Sequence, residues 1–124
     1  MSLVRVVRGG ELQPGPASHD MSRTMTEVAD VVSAAVARNL PQAISGWHHH
    51  GDRIACVYML QGQLRLEWGP VGRETIEVSA GDFYVIFPNT IHREANPGTE
   101  DQVLIAFYLG SGPTVINVDA PEPE

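Results

Sequence analysis

The chain has 124 residues, 43% of them hydrophobic, with a formal net charge of -7, which suits one domain able to bury roughly two thirds of its unfolded surface. So acidic a chain offers no cationic field for phosphates or an anionic bilayer, and neither nucleic acid nor a membrane is an expected partner. The lone Cys56 excludes an internal disulfide, and without a signal-like start or an apolar run near the roughly 20 residues of a membrane span the expected location is the cytoplasm.

In chain order, Leu3 to Val7 reads as a strand and GGELQPGP (9–16) as a loop. Two periods then compete between Glu27 and Leu40. Val28, Val31, Val32, Ala35, Val36 and Leu40 fall at helical spacing, whereas Val32, Ala34 and Val36 alternate with Ser33, Ala35 and Ala37 as in a strand. Periodicity alone leans to the helix.

From residue 54 onward the pattern is short strands separated by turn residues, which favours an all-β sandwich or barrel. The predicted strands are Ile54 to Leu60, Gln63 to Trp68, Arg73 to Val78, Phe83 to Phe87, His92 to Ala95, Gln102 to Leu109 and Val115 to Val118. GPVG (69–72) supplies the turn of a hairpin between the second and third of these. The tail APEPE (120–124) lacks apolar residues and is expected to be disordered, leaving residues 1–119 as a single domain.

The chemistry concentrates in GWHHHGDRIACVYMLQG (46–62). Successive side chains of a strand point to opposite faces, so His48 and His50 share a face and His49 points away. Two imidazoles at i and i+2 can converge on one ion. His92, at the far end of GDFYVIFPNT (81–90), completes a three-nitrogen set if a neighbouring strand brings it alongside. An isolated His-x-His is as often solvated surface, so the triplet needs its context.

That context resembles the two motifs of the cupin superfamily. His48, His50 and Gly62 stand in register with the first (Gly, five residues, His-x-His, three or four residues, Glu, six residues, Gly). Gly81, His92 and Asn96 stand in register with the second (Gly, five residues, Pro-x-Gly, two residues, His, three residues, Asn), with Pro88 one place late. The likeness covers about residues 46–110. It implies a single all-β jelly-roll (double-stranded β-helix) barrel of six to eight strands, with Val31 to Arg38 extended despite its helical period and 39–42 as the following turn. Gln42 and Asn89 replace the leading glycine of the first motif and the second glycine of the second, and Ala55 stands where the family places its metal-binding glutamate. The resemblance therefore implies a metal on His48, His50 and His92 without a carboxylate, as in some cupin-type oxygenases.

Three neutral imidazoles would leave a divalent ion its full charge and favour an anionic, chelating ligand. Imidazole suits Fe, Zn, Ni and Cu alike, so the metal's identity stays open. Glu94 shares the parity of His92 and is the candidate catalytic carboxylate, able to approach the ion or act as a general base, against a default of a solvated contact at the barrel mouth; Asp52, in the turn after His50, is better suited to a turn hydrogen bond. Tyr84 and Arg65 are candidate substrate contacts, and Arg53 a further cation able to steer an anion, while Trp47, Trp68, Phe83 and Tyr108 read as packing residues. Cys56 reads as a small hydrophobe. Ala55, Val57 and Met59 would face inward, leaving an apolar opposite face of Cys56, Tyr58 and Leu60 that needs a cover, hence an expected homodimer. Three functions fit: a metal-dependent enzyme of oxygenase type acting on a small molecule, a non-catalytic small-molecule binding or sensing module, or a metal-free barrel with incidental histidines.

Overall fold

The computed structural model describes residues 3–122. Among them eleven short strands form: β1 (Gln13–Pro14), β2 (Thr24–Ala29), β3 (Val32–Asn39), β4 (His48–His49), β5 (Ile54–Gln61), β6 (Gln63–Trp68), β7 (Glu74–Ser79), β8 (Phe83–Ile86), β9 (His92–Ala95), β10 (Gln102–Leu109) and β11 (Ile116–Asn117). They make a six-stranded sheet, β1-β2-β3-β10-β5-β8, and a five-stranded sheet, β11-β4-β9-β6-β7. The two pack face to face without a ladder closing them into one continuous barrel. Of the expected tail, residues 123 and 124 lie outside the described residues.

The competition of periods between 27 and 40 resolves in favour of the strand. Ser33, Ala35, Ala37 and Asn39 are buried while their neighbours face out, and all eight residues of β3 pair with β10, from Asn39 against Gln102 to Val32 against Leu109. A helix would leave the β10 edge unpaired, so cross-strand hydrogen bonding overrides the local helical period. The preceding strand β2, joined through the Asp30-Val31 turn in which Val31 takes a φ of 55°, has no clear signal of its own in the sequence. Leu3 to Val7, expected as a strand, is irregular: Leu3 and Val4 are 93% and 80% exposed, and a strand without a partner has nothing to satisfy its backbone.

Inward residues of both sheets form one core, including Met59, Leu64, Leu66, Val78, Ile86 and Leu104. Ala55, Val57 and Met59 face it, and Cys56, half-buried, faces out. Both substituted motif glycines occupy the left-handed region, Gln42 at φ 68° and Asn89 at φ 59°. The turns therefore keep the shape that the glycines would supply, at a cost of about 1–2 kcal/mol each.

Candidate metal centre

The histidine strands meet as neighbours. His48 of β4 stands directly opposite His92 of β9 in the antiparallel register, and His50 follows two residues later on the same face. The ring centroids lie 4.3 Å apart for His48 and His92, 5.0 Å for His50 and His92, and 5.3 Å for His48 and His50. All three rings are buried.

Each ring is oriented by a backbone carbonyl. Nδ1 of His48 lies 2.9 Å from the Gly46 carbonyl, Nδ1 of His92 2.9 Å from that of Thr90, and Nδ1 of His50 2.6 Å from that of Thr114. A carbonyl only accepts, so each Nδ1 carries the proton, and in the neutral ring Nε2 keeps its lone pair. This is the second-layer pattern that fixes the tautomer of metal-ligating histidines. Burial, followed by the influence of His92, lowers the His50 pKa to about 3, so that ring stays neutral and its lone pair available at ordinary pH.

A carboxylate completes the group. Glu94, two residues beyond His92 on β9, brings Oε1 to 3.0 Å from Nε2 of His92 and 3.4 Å from Nε2 of His48. Ligand atoms of His48, His50, His92 and Glu94 all lie within 4.8 Å of one another, a set that could hold a metal ion. Neutral imidazole lone pairs and a carboxylate oxygen at these distances are all acceptors, and they repel unless a cation, proton or metal, stands between them. The buried Nε2 of His48 has no hydrogen-bond partner. Burial alone would raise the Glu94 pKa, but the His48 and His92 rings facing it hold it well below the usual carboxylate range. Tyr84 donates its hydroxyl to Oε2 of Glu94 at 3.1 Å; burial, reinforced by that carboxylate, pushes its pKa well up and keeps the proton on the donor.

Beside the three histidines implied by the motifs stands the Glu94 carboxylate, the candidate offered by its parity with His92. Ala55 of β5 faces the core and is 1% exposed, so the carboxylate beside the rings comes from β9.

A family model for the cupin domain matches residues 36–108, more than half of the chain and both histidine strands. The chain belongs to the cupin family. No curated protein matches its sequence. Among solved structures, this cupin resembles an uncharacterized conserved protein with a double-stranded β-helix domain from Klebsiella pneumoniae subsp. pneumoniae MGH 78578, with TM-score 0.71 and 15% identity over 84% of this chain and 89% of that one. It also resembles Lactobacillus farciminis oxalate decarboxylase in its formate complex, with TM-score 0.74 and 21% identity over 88% of this chain and 34% of that one. An oxalate oxidase in complex with the substrate analogue glycolate follows, with TM-score 0.70 and 19% identity over 81% of this chain and 56% of that one. These likenesses establish a shared fold, and this cupin spans about a third of the decarboxylase chain.

A small cavity of about 20 Å³ lies beside the cluster. Alanines 35, 37, 55 and 106 leave the room, and His50, Glu94, Tyr84, Tyr108 and Arg23 supply the polar wall. Tyr84, expected as a substrate contact, lines it. Arg65 does not: on β6 the inward places belong to Leu64 and Leu66, and Arg65 turns to the outer face beside Glu67, 3.3 Å away. Arg53 is buried but clamps a loop, its guanidinium donating to the carbonyls of Gly112 and Tyr108. Asp52 accepts from Asn89 at 3.2 Å, a turn contact. Phe83, expected in core or interface packing, lies on the outer face, 69% exposed, against the Tyr58 ring. The site residue absent from the sequence reading is Arg23. A single arginine 25 positions before His48 carries no motif signal, and only the return of β2 beside β3 brings it to the cavity.

Proposed function

We propose that this cupin is a metal-dependent enzyme acting on a small oxygen-bearing molecule, with a divalent transition metal held by His48, His50, His92 and Glu94. The observation that carries the reading is the convergence of carbonyl-oriented histidines and a buried carboxylate whose lone pairs call for a cation. When bound, the ion supplies Lewis-acid polarisation of substrate oxygens or, if iron or another redox metal, activation of dioxygen. The chain's own groups do the rest. Tyr84 restrains Glu94 through Oε2, the alanine-lined wall leaves a small space beside the centre, and the carboxylate would lower the net charge of the loaded site from +2 to +1. Oxygenase-type chemistry suits a cavity whose one lining carboxylate among the described residues, Glu94, would be taken up by the metal, because inner-sphere oxidation asks for no separate base. The fold shared with an oxalate decarboxylase and an oxalate oxidase is compatible with small carboxylates as substrates.

The test begins with metal analysis of protein purified without an affinity tag and then loaded with iron, manganese, zinc or nickel. About one equivalent is expected in the wild type and a large loss in His48→Ala and His92→Ala; equal content in all three proteins removes the centre. Oxygen uptake by the iron- and manganese-loaded protein across small carboxylates, catechols and β-diketones then addresses catalysis, and silence throughout favours a binding module.

The same reading includes a homodimer. The outer face of the six-stranded sheet presents Tyr58, Leu60, Phe83, Val85, Ile105 and Phe107, with Phe107 43% and Leu60 50% exposed. The other sheet instead carries Arg65, Glu67 and Arg93 outward, with Arg93 over Trp47. An apolar face of this extent is unusual on a monomer, and because those strands carry no charge there, two acidic copies meet across it without like-charge contact. Sedimentation equilibrium showing a monomer at micromolar concentration would refute it.

A further inference from the structure

Arg23 precedes β2 and reaches the cavity wall, half-buried. One guanidinium nitrogen donates to the Tyr108 hydroxyl, while its Nε is buried without any hydrogen-bond partner. No carboxylate forms an ion pair with Arg23 among the described residues. A guanidinium offers five donors in a fixed fork that matches a carboxylate, and a buried N–H without an acceptor costs stability. Tyr108 accepts from Arg23 and so retains its own proton for donation. The Tyr108 ring in turn lies 5.1 Å from that of His50. Arg23, Tyr108 and His50 thus form a continuous wall from an unpartnered cation to the metal centre.

We infer that Arg23 and Tyr108 anchor one carboxylate of a small acid whose second oxygen function faces His48, His50, His92 and Glu94. The inference deepens the proposed metal centre by assigning its substrate class: short dicarboxylates and 2-oxo or 2-hydroxy acids, which carry a carboxylate for the anchor and a further oxygen donor for the ion. The fork selects the planar anion through paired hydrogen bonds, and the alanine and valine wall limits its length.

Calorimetric titration of the wild type and of Arg23→Met, Arg23→Lys and Tyr108→Phe with oxalate, acetate and inorganic phosphate tests this, each protein being run metal-loaded and chelator-stripped. The expected result is oxalate binding to the loaded wild type, weakened roughly 10- to 100-fold in Arg23→Met, the range for losing charge-assisted hydrogen bonds. Metal content should stay at the wild-type level, and Arg23→Lys should recover only part of the affinity. Acetate should bind the stripped wild type in an Arg23-dependent way, so the anchor is decided even if the metal reading fails. Equal affinities in the wild type and Arg23→Met, phosphate preferred over both carboxylates, or no binding of any carboxylate at millimolar concentration would each overturn the assignment. Circular dichroism reports folding, and if Arg23→Met does not fold, Arg23→Lys and Tyr108→Phe carry the comparison.

Discussion

Replacing Asn96 by aspartate should damage the protein more than deleting its side chain altogether. Asn96 is 1% exposed, and its Nδ2 donates to the carbonyls of Asn39 at 3.2 Å, Leu40 at 3.1 Å and Glu100 at 3.0 Å while its Oδ1 accepts from Gly98 N at 3.1 Å. Leu40 O has a second donor in Ala43 N, so Asn96→Ala strands chiefly the Glu100 carbonyl and the Gly98 amide, which lie near the surface where water can partly replace the bonds. That predicts a loss of about 2–3 kcal/mol. In Asn96→Asp the acceptor for Gly98 survives, but a carboxylate oxygen now faces three carbonyl oxygens in a buried site, and the cost rises to about 4 kcal/mol. For a chain of this size about 1 kcal/mol corresponds to roughly 4 °C in melting temperature, so the variants should melt about 10 °C and about 16 °C below the wild type. The order carries a pH signature. The buried Asp carboxyl would have its folded-state pKa raised above the unfolded value, so the folded state binds more protons between the two values and stability falls as pH rises through that window. Lowering the pH should therefore narrow the gap between the two variants. Urea unfolding at two pH values measures it; an aspartate variant equal to or more stable than the alanine variant at alkaline pH would refute the assignment of Asn96 as a pure donor to its carbonyls.

Other substitutions probe the turn, the core and the site. Gly62 has φ 83°, and a Cβ there would sit 2.9 Å from Asp101 O and 3.2 Å from Gln102 Cα; Gly62→Ala should cost about 2 kcal/mol or more, whereas Gly81→Ala, at φ 95° with nothing within 4 Å, should cost only the backbone strain of about 1 kcal/mol. Chemical denaturation of both variants checks the difference. Leu64 is fully buried in the core, and Leu64→Ala should lose about 2–5 kcal/mol in the same assay, the spread reflecting how far the cavity can collapse. Glu94→Gln keeps the shape and the Tyr84 contact but removes the charge, so metal affinity measured by competition with a chelator should fall by more than the roughly 10- to 100-fold typical of losing an outer hydrogen-bond partner; unchanged affinity would leave Glu94 outside the centre.

Much of the fold is legible locally. The alternation in Gln63 to Trp68 places Leu64 and Leu66 inside, and the hairpin to β7 follows from the turn between them, with Gly69 and Gly72 at positive φ. The parity of His48 and His50 is likewise a property of neighbouring residues, because side chains on an extended chain alternate whatever the rest of the molecule does. The motif spacing extended this to His92. Glu94 could be placed on the right face by parity, but its position between His48 and His92 could not, since that depends on the distance across to His48.

What the sequence by itself determined was the all-β architecture, the shared face of His48 and His50 and the apolar character of both faces of β5, because each follows from side-chain period and from residues close in the chain; His92 followed only from the motif resemblance. Tertiary structure alone decided that Glu94 lies within reach of both His48 and His92, and that Arg23 enters the cavity. Those outcomes depend on which strand lies beside which and in what register, and a one-residue slip would reverse every face; such long-range pairing is settled by the summed hydrogen bonds and burial of the whole sheet, not by any segment read alone.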